Sequence, residues 1–363
     1  MGITIKEIAA IVGVSRGTVD RALHGRRRIK PEIIAQVLDV AKKAGYKPSR
    51  AAKQLVIQKQ NLKLGIITRR SMNVHGFWAN LSNGAATIEK ELAEYKVSVL
   101  KRYFDYSHPE QQAALIDELL AEGIGGLIIA PMDHEAVRQK LQTLRKTETA
   151  GCSRNVPVVF ITSEIHGFEP LCYIGGDEYK EGRTAAGLLQ FAAPNVFSTE
   201  HQRFNVLILK VSDYVLGHQL RIDGFINELE NAATPYTVRK IVNITSDADY
   251  AYAKTTELLS AYPDIGAIIT ISGNAVSVSK AIADLGLKNS LIHICFDQGL
   301  LHQLEHIDSS RTAVISQDAY RQGYLSLQIL FDYVACEIEP ENRRILTHNE
   351  IFIKQNQAGD TGF

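Results

Sequence analysis

Residues 13–31, GVSRGTVDRALHGRRRIKP, place six cationic side chains within nineteen residues of a chain whose formal charges cancel. The charges are unevenly divided: residues 1–61 hold 13 Lys and Arg against 4 Asp and Glu (+9), and the remainder holds 27 against 36 (−9). Such a cationic segment can neutralise the phosphates of a nucleic acid, whereas an acidic body is repelled by them. The pattern predicts that the first sixty residues bind a polyanion, unless they form a solvated basic tail.

Helical periodicity in the first forty-five residues argues against a tail. Apolar residues recur at helical spacing after Thr4, after Ser15 and after Pro31. Thr4 and Glu7 have the spacing of a capping box, Gly13 suits a helix end, and Pro31 suits a first helical turn. Three short helices, with a tight glycine-containing turn between the first two, predict a helix-turn-helix.

The second predicted helix carries a polar outward stripe: Arg16, Gly17, Asp20, Arg21 and His24. In a helix-turn-helix this helix enters the major groove of DNA, where an arginine can bind guanine O6 and N7 together. Arg16 and Arg21 are therefore predicted to read bases, and Gly17 lets the backbone approach them. Asp20 has two interpretations: an acceptor for cytosine N4 that also orients Arg21, or a plain intrahelical partner of Arg16 or His24.

The chain after residue 61 has a different pattern. Short apolar runs such as LKLGIIT, IGGLIIAP, VPVVFIT and FNVLILK alternate with amphipathic segments of helical length. Such runs are typical of buried parallel strands, and helices between them predict doubly wound sheets. These strand–helix units are too many for one hydrophobic core. We therefore expect two similar lobes, with the boundary between them near residues 173–182.

In sheets of this kind, ligands bind beyond the carboxyl ends of the strands. The segments that follow the apolar runs mix aromatic rings with hydrogen-bonding side chains, as in TRRSMNVHGFWAN and VSDYVLGHQLRIDG. Rings can stack on the C–H faces of a sugar while charged and amide groups bind its hydroxyls. The composition predicts a site for a small polyhydroxyl ligand. Candidates by location alone are His75, Asp105, Thr162, Ser163, Ser272 and Asn274.

The segment TIKEIAAIVGVSRGTVDRALHGRRRIKPEIIAQVLDVAKKAGYKPSRAAKQL, residues 4–55, resembles the DNA-binding headpiece of the lactose-repressor (LacI/GalR) family without a gap. The resemblance implies base reading by Arg16, Gly17 and Arg21. Most members of the family have Ser where this chain has Asp20, so no operator preference is transferable.

The same resemblance implies a short hinge helix after Tyr46 and Pro48. In the family a leucine of this helix, here Leu55, wedges into a minor-groove step and kinks the duplex. Ala51, Ala52 and Leu55 form a small apolar strip, which suits a helix that orders on DNA, although a plain linker is the alternative. The predicted DNA-binding residues are Thr4, Ser15, Arg16, Gly17, Thr18, Asp20, Arg21, His24, Arg26, Arg50 and Leu55.

The body resembles the sugar-binding regulatory domain of that family and its periplasmic relatives. The resemblance implies that Phe77 and Trp78 stack on the ligand, that Arg221 and Asp297 bind it, and that Gln317 supplies an amide. Trp78 as a core aromatic and Asp297 as a strand-end cap are the structural alternatives.

This chain departs from many sugar-binding relatives in having Thr162 and Ser163 where they carry an acid, so the ligand is not inherited from any one relative. The predicted ligand-binding residues are His75, Phe77, Trp78, Thr162, Ser163, Arg221, Ser272, Asn274, Asp297 and Gln317.

These observations predict an α/β body of two doubly wound parallel-sheet lobes, like a periplasmic binding protein, preceded by a small all-α helix-turn-helix headpiece. We expect the headpiece at residues 1–47 and the hinge helix with its linker at 48–61. The first lobe is expected at 62–176 plus about 318–345, and the second at 177–317 plus about 346–363.

Three functional classes compete. An enzyme is disfavoured because HExxH, Walker A and GxGxxG motifs are absent, the eleven histidines are scattered and the four cysteines form no CxxC pair. No cofactor or metal is therefore predicted. A sugar receptor for transport or chemotaxis would need a signal peptide and would lack the basic headpiece. This sequence shows the opposite on both counts.

We therefore expect a cytoplasmic homodimer that binds duplex operator DNA and a sugar or sugar derivative, without membrane contact. The expected function is a repressor of a carbohydrate-utilisation operon, controlled by the ligand bound between its lobes. A nucleobase ligand is the alternative, and the sequence leaves open whether the ligand releases DNA or promotes its binding.

Overall fold

The computed structural model describes residues 3–23, 29–44, 57–58, 61–71, 76–145, 155–193, 204–232, 235–296 and 311–356. The chain divides into two compact units, residues 1–60 and residues 61–363. Most of the predicted hinge segment 48–61, including Arg50 and Leu55, lies outside the described residues.

The described part of the first unit contains the helices α1 (Ile5–Val12), α2 (Arg16–Leu23) and α3 (Pro31–Lys43). α1 begins with the capping box: Thr4 Oγ1 accepts a hydrogen bond from the Glu7 amide at 3.3 Å, and the Glu7 carboxylate accepts one from the Thr4 amide at 2.8 Å. α1 ends at Gly13, whose φ of 74° lies in the left-handed region that favours glycine. The helices share one core, to which each contributes a fully buried residue: Ile8, Val19 and Val37.

The first lobe of the body is built on a six-stranded sheet. Its strands are β1 (Lys63–Arg69), β2 (Ser98–Phe104), β3 (Gly126–Ile129), β4 (Val158–Ile161), β5 (Cys172–Gly175) and β11 (Arg344–Leu346). They pair in the order β11-β5-β4-β3-β1-β2, and every pair is parallel. The accompanying helices are α4 (Phe77–Leu92), α5 (Gln111–Ala121), α6 (Glu135–Arg145) and α11 (Ala319–Cys336).

The second lobe repeats this plan. Its strands are β6 (Phe204–Lys210), β7 (Tyr236–Asn243), β8 (Ile265–Thr270), β9 (Ile292–Cys295), β10 (Thr312–Ser316) and β12 (Glu350–Ile353). They pair in the order β12-β10-β9-β8-β6-β7, with β12 antiparallel to β10 and the other pairs parallel. The helices of this lobe are α7 (Glu178–Ala192), α8 (Leu216–Glu230), α9 (Ala248–Ala261) and α10 (Ala275–Asp284).

The predicted fold class, two parallel-sheet α/β lobes with a helical headpiece, is confirmed. The central strands are apolar because helices cover both faces of each sheet, and every residue of β3, β4 and β5 is buried. The antiparallel edge strand β12 departs from the predicted parallel order. It follows β11, the edge strand of the other sheet, after a connection of three residues, so the chain enters the second sheet directly from the first.

The chain passes between the lobes after β5, after β10 and after β11. Hydrogen bonds tie these crossovers together: the Thr347 amide donates to the Gly175 carbonyl at 2.8 Å, and the Thr347 hydroxyl donates to the Gln317 carbonyl at 2.9 Å. The links between two separately packed lobes are therefore close together, at the side of the crevice between them.

Glycines bring paired helices into close contact in both lobes. A Cβ atom at Gly84 of α4 would overlap the Tyr320 carbonyl of α11, and one at Gly182 of α7 would overlap the Arg221 carbonyl of α8. The second contact fixes the backbone that carries Arg221.

Candidate functional site

The helix α2 exposes the residues predicted to read DNA. Arg16, Gly17 and Arg21 are exposed, whereas Val19 and Ala22 on the other face of α2 are buried. Arg21 Nε donates a hydrogen bond to the Gly17 carbonyl at 2.9 Å, the one hydrogen bond of this side chain to a described residue. Two arginine side chains therefore lie on one face of a short, well-packed helix.

Two further predicted DNA contacts, Thr4 and Ser15, are helix caps, and a third, Thr18, is bonded to one of them. Ser15 Oγ accepts a hydrogen bond from the Thr18 amide at 3.1 Å and lies 2.9 Å from the Thr18 hydroxyl, while Thr4 caps α1. These residues set where α1 and α2 begin. Asp20 lies in α2, but its side chain is outside the described part of the chain, as are His24, Arg26, Arg50 and Leu55.

A cavity of about 470 Å³ lies between the two lobes of the body, a volume typical of small-molecule sites. Residues from both lobes and from the crossover after β10 form its wall. Seven of the ten predicted ligand-binding residues line it: Phe77, Trp78, Thr162, Arg221, Ser272, Asn274 and Gln317. His75 and Asp297 lie outside the described residues.

Ser163 is buried and does not line the cavity. Its hydroxyl oxygen accepts a hydrogen bond from the Gly217 amide of the other lobe at 3.1 Å. Asp105 also lies off the cavity, where its carboxylate accepts a hydrogen bond from the Ser107 amide at 2.8 Å that lowers its pKa. Ser163 thus joins the two lobes, and Asp105 orders a turn.

The first lobe supplies an aromatic wall. The rings of Phe77 and Trp78 meet edge to face with centroids 5.3 Å apart, and Phe104 lies 6.2 Å from Trp78 and 5.5 Å from Tyr106. Phe77, Trp78 and Tyr106 line the cavity and are half-buried. Trp78 therefore packs against the core on one side and borders the cavity on the other.

Arg221 is held in place on the opposite side of the cavity. Its Nε donates to Glu181 Oε2 at 2.7 Å, and the two side chains are 6% and 0% exposed. Its terminal nitrogens donate to the Ile271 carbonyl at 3.1 Å and to Gln317, and its guanidinium lies 4.7 Å from the centre of the Phe296 ring. These contacts fix the guanidinium before any ligand binds.

His218 is a cavity residue that the sequence analysis missed. It lies one helical turn before Arg221, and its Nδ1 is 3.4 Å from the Ser212 carbonyl oxygen. Because a carbonyl only accepts, Nδ1 carries the hydrogen and Nε2 is an acceptor. Burial, and to a smaller extent the charge of Arg221, lowers the pKa of His218 to about 3, so the imidazole is neutral near neutral pH.

Two more cavity residues were missed, Arg69 and Arg70 at the carboxyl end of β1. The segment TRRSMNVHGFWAN was predicted to border the site, and the positions of these two arginines directly after an apolar run were the available signal. The Arg69 guanidinium lies 5.1 Å from the centre of the Tyr106 ring, and that of Arg70 lies 4.8 Å from the centre of the Tyr103 ring.

The described residues contain no cluster of three His, Cys, Asp or Glu side chains that could hold a metal ion. None of the helices in the described ranges is both long and apolar enough to span a membrane.

The chain combines a helix-turn-helix unit that exposes two arginines with a two-lobed body that has a cavity between its lobes. This combination defines a ligand-responsive DNA-binding regulator. Residues 4–49 match the family model described as bacterial regulatory proteins, lacI family, and residues 71–337 match the periplasmic binding protein domain. The chain therefore carries a DNA-binding domain of the lacI family of bacterial regulatory proteins, followed by a body that belongs to the periplasmic binding protein domain family.

Relatives agree with this assignment. Catabolite control protein A of Priestia megaterium is 23% identical over 92% of this chain and 93% of its own length. The sucrose operon repressor of Klebsiella pneumoniae is 32% identical over 38% of this chain and 41% of its own length. The family is regulatory rather than enzymatic, and the predicted function of a DNA-binding transcription regulator is confirmed.

A solved structure shares the fold of the body. An ABC-transporter solute-binding protein of Burkholderia graminis C4D1M, in complex with D-arabinose, superposes with a TM-score of 0.69 at 17% identity. The match covers 81% of this chain and 96% of that protein.

Proposed function

We propose that this chain represses carbohydrate-utilisation genes and that a small polyhydroxyl ligand between its lobes sets its affinity for operator DNA. The cavity carries this proposal, because aromatic rings of one lobe face a fixed arginine of the other. Sugars bind to such walls by stacking on rings and by hydrogen bonds to charged and amide groups. The sucrose operon repressor and the arabinose-bound structure among the similar proteins support this ligand class.

Phe77 and Trp78 are proposed to stack on the ligand, and Arg221 is proposed to bind its hydroxyls. The guanidinium has five N–H donors, of which described protein groups use three. Two donors thus have no partner among the described residues and are proposed to bind the ligand. His218, also in the cavity wall, adds a neutral acceptor at Nε2, which suits a hydroxyl group.

On the DNA side, Arg16 and Arg21 are proposed to contact base edges in the major groove. Their exposure on α2 supports this role. Leu55 is proposed to insert into the minor groove as part of a hinge helix that forms on the operator. We propose a homodimer, because two-fold pairing doubles the few contacts of one reading helix and sets the half-site spacing.

A ligand that contacts both lobes favours their closed arrangement. In a dimer this reorientation changes the distance between the two linkers at residues 46–61, and marginal hinge helices form only where they are held together over the minor groove. Ligand binding therefore alters operator affinity through the hinge. The protein is proposed to act in the cytoplasm, where its DNA lies.

A catalytic role is not proposed. Ser15 lies in the sequence GVSRG, which fits the G-x-S-x-G pattern of serine hydrolases. That pattern requires a strand before the serine and a histidine base. Here Ser15 caps α2 directly after α1, and its hydroxyl is engaged with Thr18.

The test uses the full-length protein. Its operator is selected from random duplexes, and its melting temperature is measured with sugars, polyols, sugar phosphates, sugar acids and nucleobases. We expect a carbohydrate to raise the melting temperature and to change operator affinity in fluorescence anisotropy. Stabilisation by a nucleobase alone would contradict the ligand class, and failure to select any duplex would contradict the DNA-binding function. Sedimentation as a monomer on the selected operator would contradict the dimer.

A further inference from the structure

The cavity wall has an excess of positive charge. Three arginines line it, Arg69, Arg70 and Arg221, and the acidic residue among its described lining is Asp247. The Asp247 carboxylate caps α9 by accepting a hydrogen bond from the Tyr250 amide at 2.7 Å. Arg221 is compensated by the buried carboxylate of Glu181. Among the described residues of the wall, Arg69 and Arg70 are therefore the charges without a compensating acid; Asp297, which was predicted to bind the ligand, lies outside that part of the chain.

These two arginines form no ion pair and donate no hydrogen bond to any residue in the part of the chain that the structure describes. The charge of Arg69 contributes to lowering the pKa of Asp105, although the two side chains form no ion pair. The Arg69 guanidinium contacts the ring of Tyr106, and the Arg70 guanidinium contacts the ring of Tyr103. An aromatic ring positions a guanidinium but accepts none of its in-plane N–H groups.

Two helices begin at the cavity without side-chain caps. α4 begins after Gly76 and α10 begins after Asn274, and neither residue makes a side-chain capping hydrogen bond. Their first turns, with Phe77 and Val276, line the cavity. Backbone amides and the helix dipole add positive potential there. The Ser272 hydroxyl, also in the wall, is buried and has no hydrogen-bond partner among described groups.

Closure of the lobes over a neutral sugar would remove Arg69 and Arg70 from water, and no carboxylate of a described residue forms an ion pair with either of them. Burying an unpaired charge is costly, whereas a phosphate or carboxylate accepts the paired N–H groups of a guanidinium. We infer that the effector is an anionic carbohydrate, a sugar phosphate or a sugar acid, whose anionic group binds to Arg69 and Arg70. This inference rests on the proposed function and narrows its ligand class.

The test compares matched neutral and anionic sugars on the full-length protein by calorimetry. One set is D-glucose, D-glucose 6-phosphate and D-glucuronate, and a second is D-arabinose, D-arabinose 5-phosphate and D-arabinonate. We expect an anionic member to bind more tightly than its neutral partner, with an affinity that falls as salt rises. A preference for the phosphate or for the carboxylate identifies which anion the site takes.

Variants locate the effect. Arg70→Met and Arg69→Met should each lower the affinity for the anionic sugar roughly 10- to 100-fold. Arg70→Lys should lower that affinity less. Lys90→Met is the matched control: it removes an exposed cation from the same helix that begins at the cavity, about 20 Å further along its axis, and should leave affinity unchanged.

Neutral sugars that bind as tightly as their anionic partners would overturn the inference and leave the proposed function intact. An anionic preference that survives in both arginine-to-methionine variants would also overturn it. Binding by no carbohydrate of either kind would contradict the proposed function itself.

Discussion

Arg221 and Glu181 form a buried ion pair whose loss has a defined cost. The two side chains are 6% and 0% exposed, with Nε and Oε2 2.7 Å apart. Replacing one partner leaves the other charge buried and unpaired, so Arg221→Met should lower the free energy of unfolding by about 3–5 kcal/mol. Arg183→Met, which removes an exposed pair with Glu228 from the same helix as Glu181, should change it little. Urea denaturation of both variants measures the difference, and equal small losses would contradict it.

Glu178 should make stability depend on pH. Burial raises its pKa from 4.5 to about 7, and Tyr173 donates a hydrogen bond to its carboxylate at 2.5 Å. Because the folded-state pKa is the higher one, the stability that protonated Glu178 contributes is complete below pH 4.5 and is lost as the pH rises through about 7. Glu178→Gln, which stays neutral, should gain up to about 3 kcal/mol relative to the wild type between these limits.

The comparison is made at equal pH because two histidines act in the opposite direction. Burial lowers the pKa of His218 and of His293 from 6.5 to about 3, so the stability they contribute is present above pH 6.5 and is lost as the pH falls. This contribution is common to the wild type and the Glu178→Gln variant and cancels in their difference. A difference between them that does not grow with pH would contradict the raised pKa of Glu178.

Arg21 should read sequence rather than charge. Arg21→Met should lower the affinity for the selected operator roughly 10- to 100-fold and leave the affinity for unrelated duplex DNA nearly unchanged. Lys43→Met, which removes a cation from α3 outside the reading stripe, is the control. Equal losses on both DNAs in the Arg21 variant would make Arg21 a phosphate contact.

Two helical glycines, Gly84 and Gly187, distinguish the effect of close helix packing on stability from the effect of helix propensity. In Gly84→Ala the new methyl group would overlap the Tyr320 carbonyl of α11, so we expect a loss of about 1–3 kcal/mol in stability. Gly187 lies inside α7 with open space at the Cβ position, so Gly187→Ala should gain about 0.5–1 kcal/mol. Thermal unfolding of the two variants should therefore shift in opposite directions, and a shift in the same direction would contradict the packing described here.

The apolar runs predicted the buried strands because strands covered on both faces need continuous apolar sequence, as in GLII of β3 and VVFI of β4. The edge strand β12, EIFI, also has three consecutive apolar residues but is exposed or half-buried along its length, and it was not among the predicted strands. Phe77, Trp78 and Arg221, which the resemblance implied as ligand contacts and which follow predicted strands, line a common cavity, and their binding of a ligand stays a prediction. The positions of His218 and Glu181 depend on how α7 and α8 pack, and no local pattern encodes that packing.

At the scale of the whole molecule, the body consists of two lobes with their own sheets, joined by three neighbouring crossovers. The cavity wall draws on both lobes, so a ligand that binds it favours one lobe arrangement over others. The coupling free energy between two binding sites is reciprocal. If the ligand changes operator affinity by some factor, the operator must therefore change ligand affinity by the same factor.

Ligand control of DNA binding is tested by measuring both sides of this coupling. Operator affinity of the full-length protein is measured with and without the carbohydrate that raises its melting temperature most, and affinity for that carbohydrate is measured with and without operator. We predict two equal ratios, each roughly 5- to 150-fold away from one. A carbohydrate that binds tightly while both ratios remain at one would contradict ligand control of DNA binding.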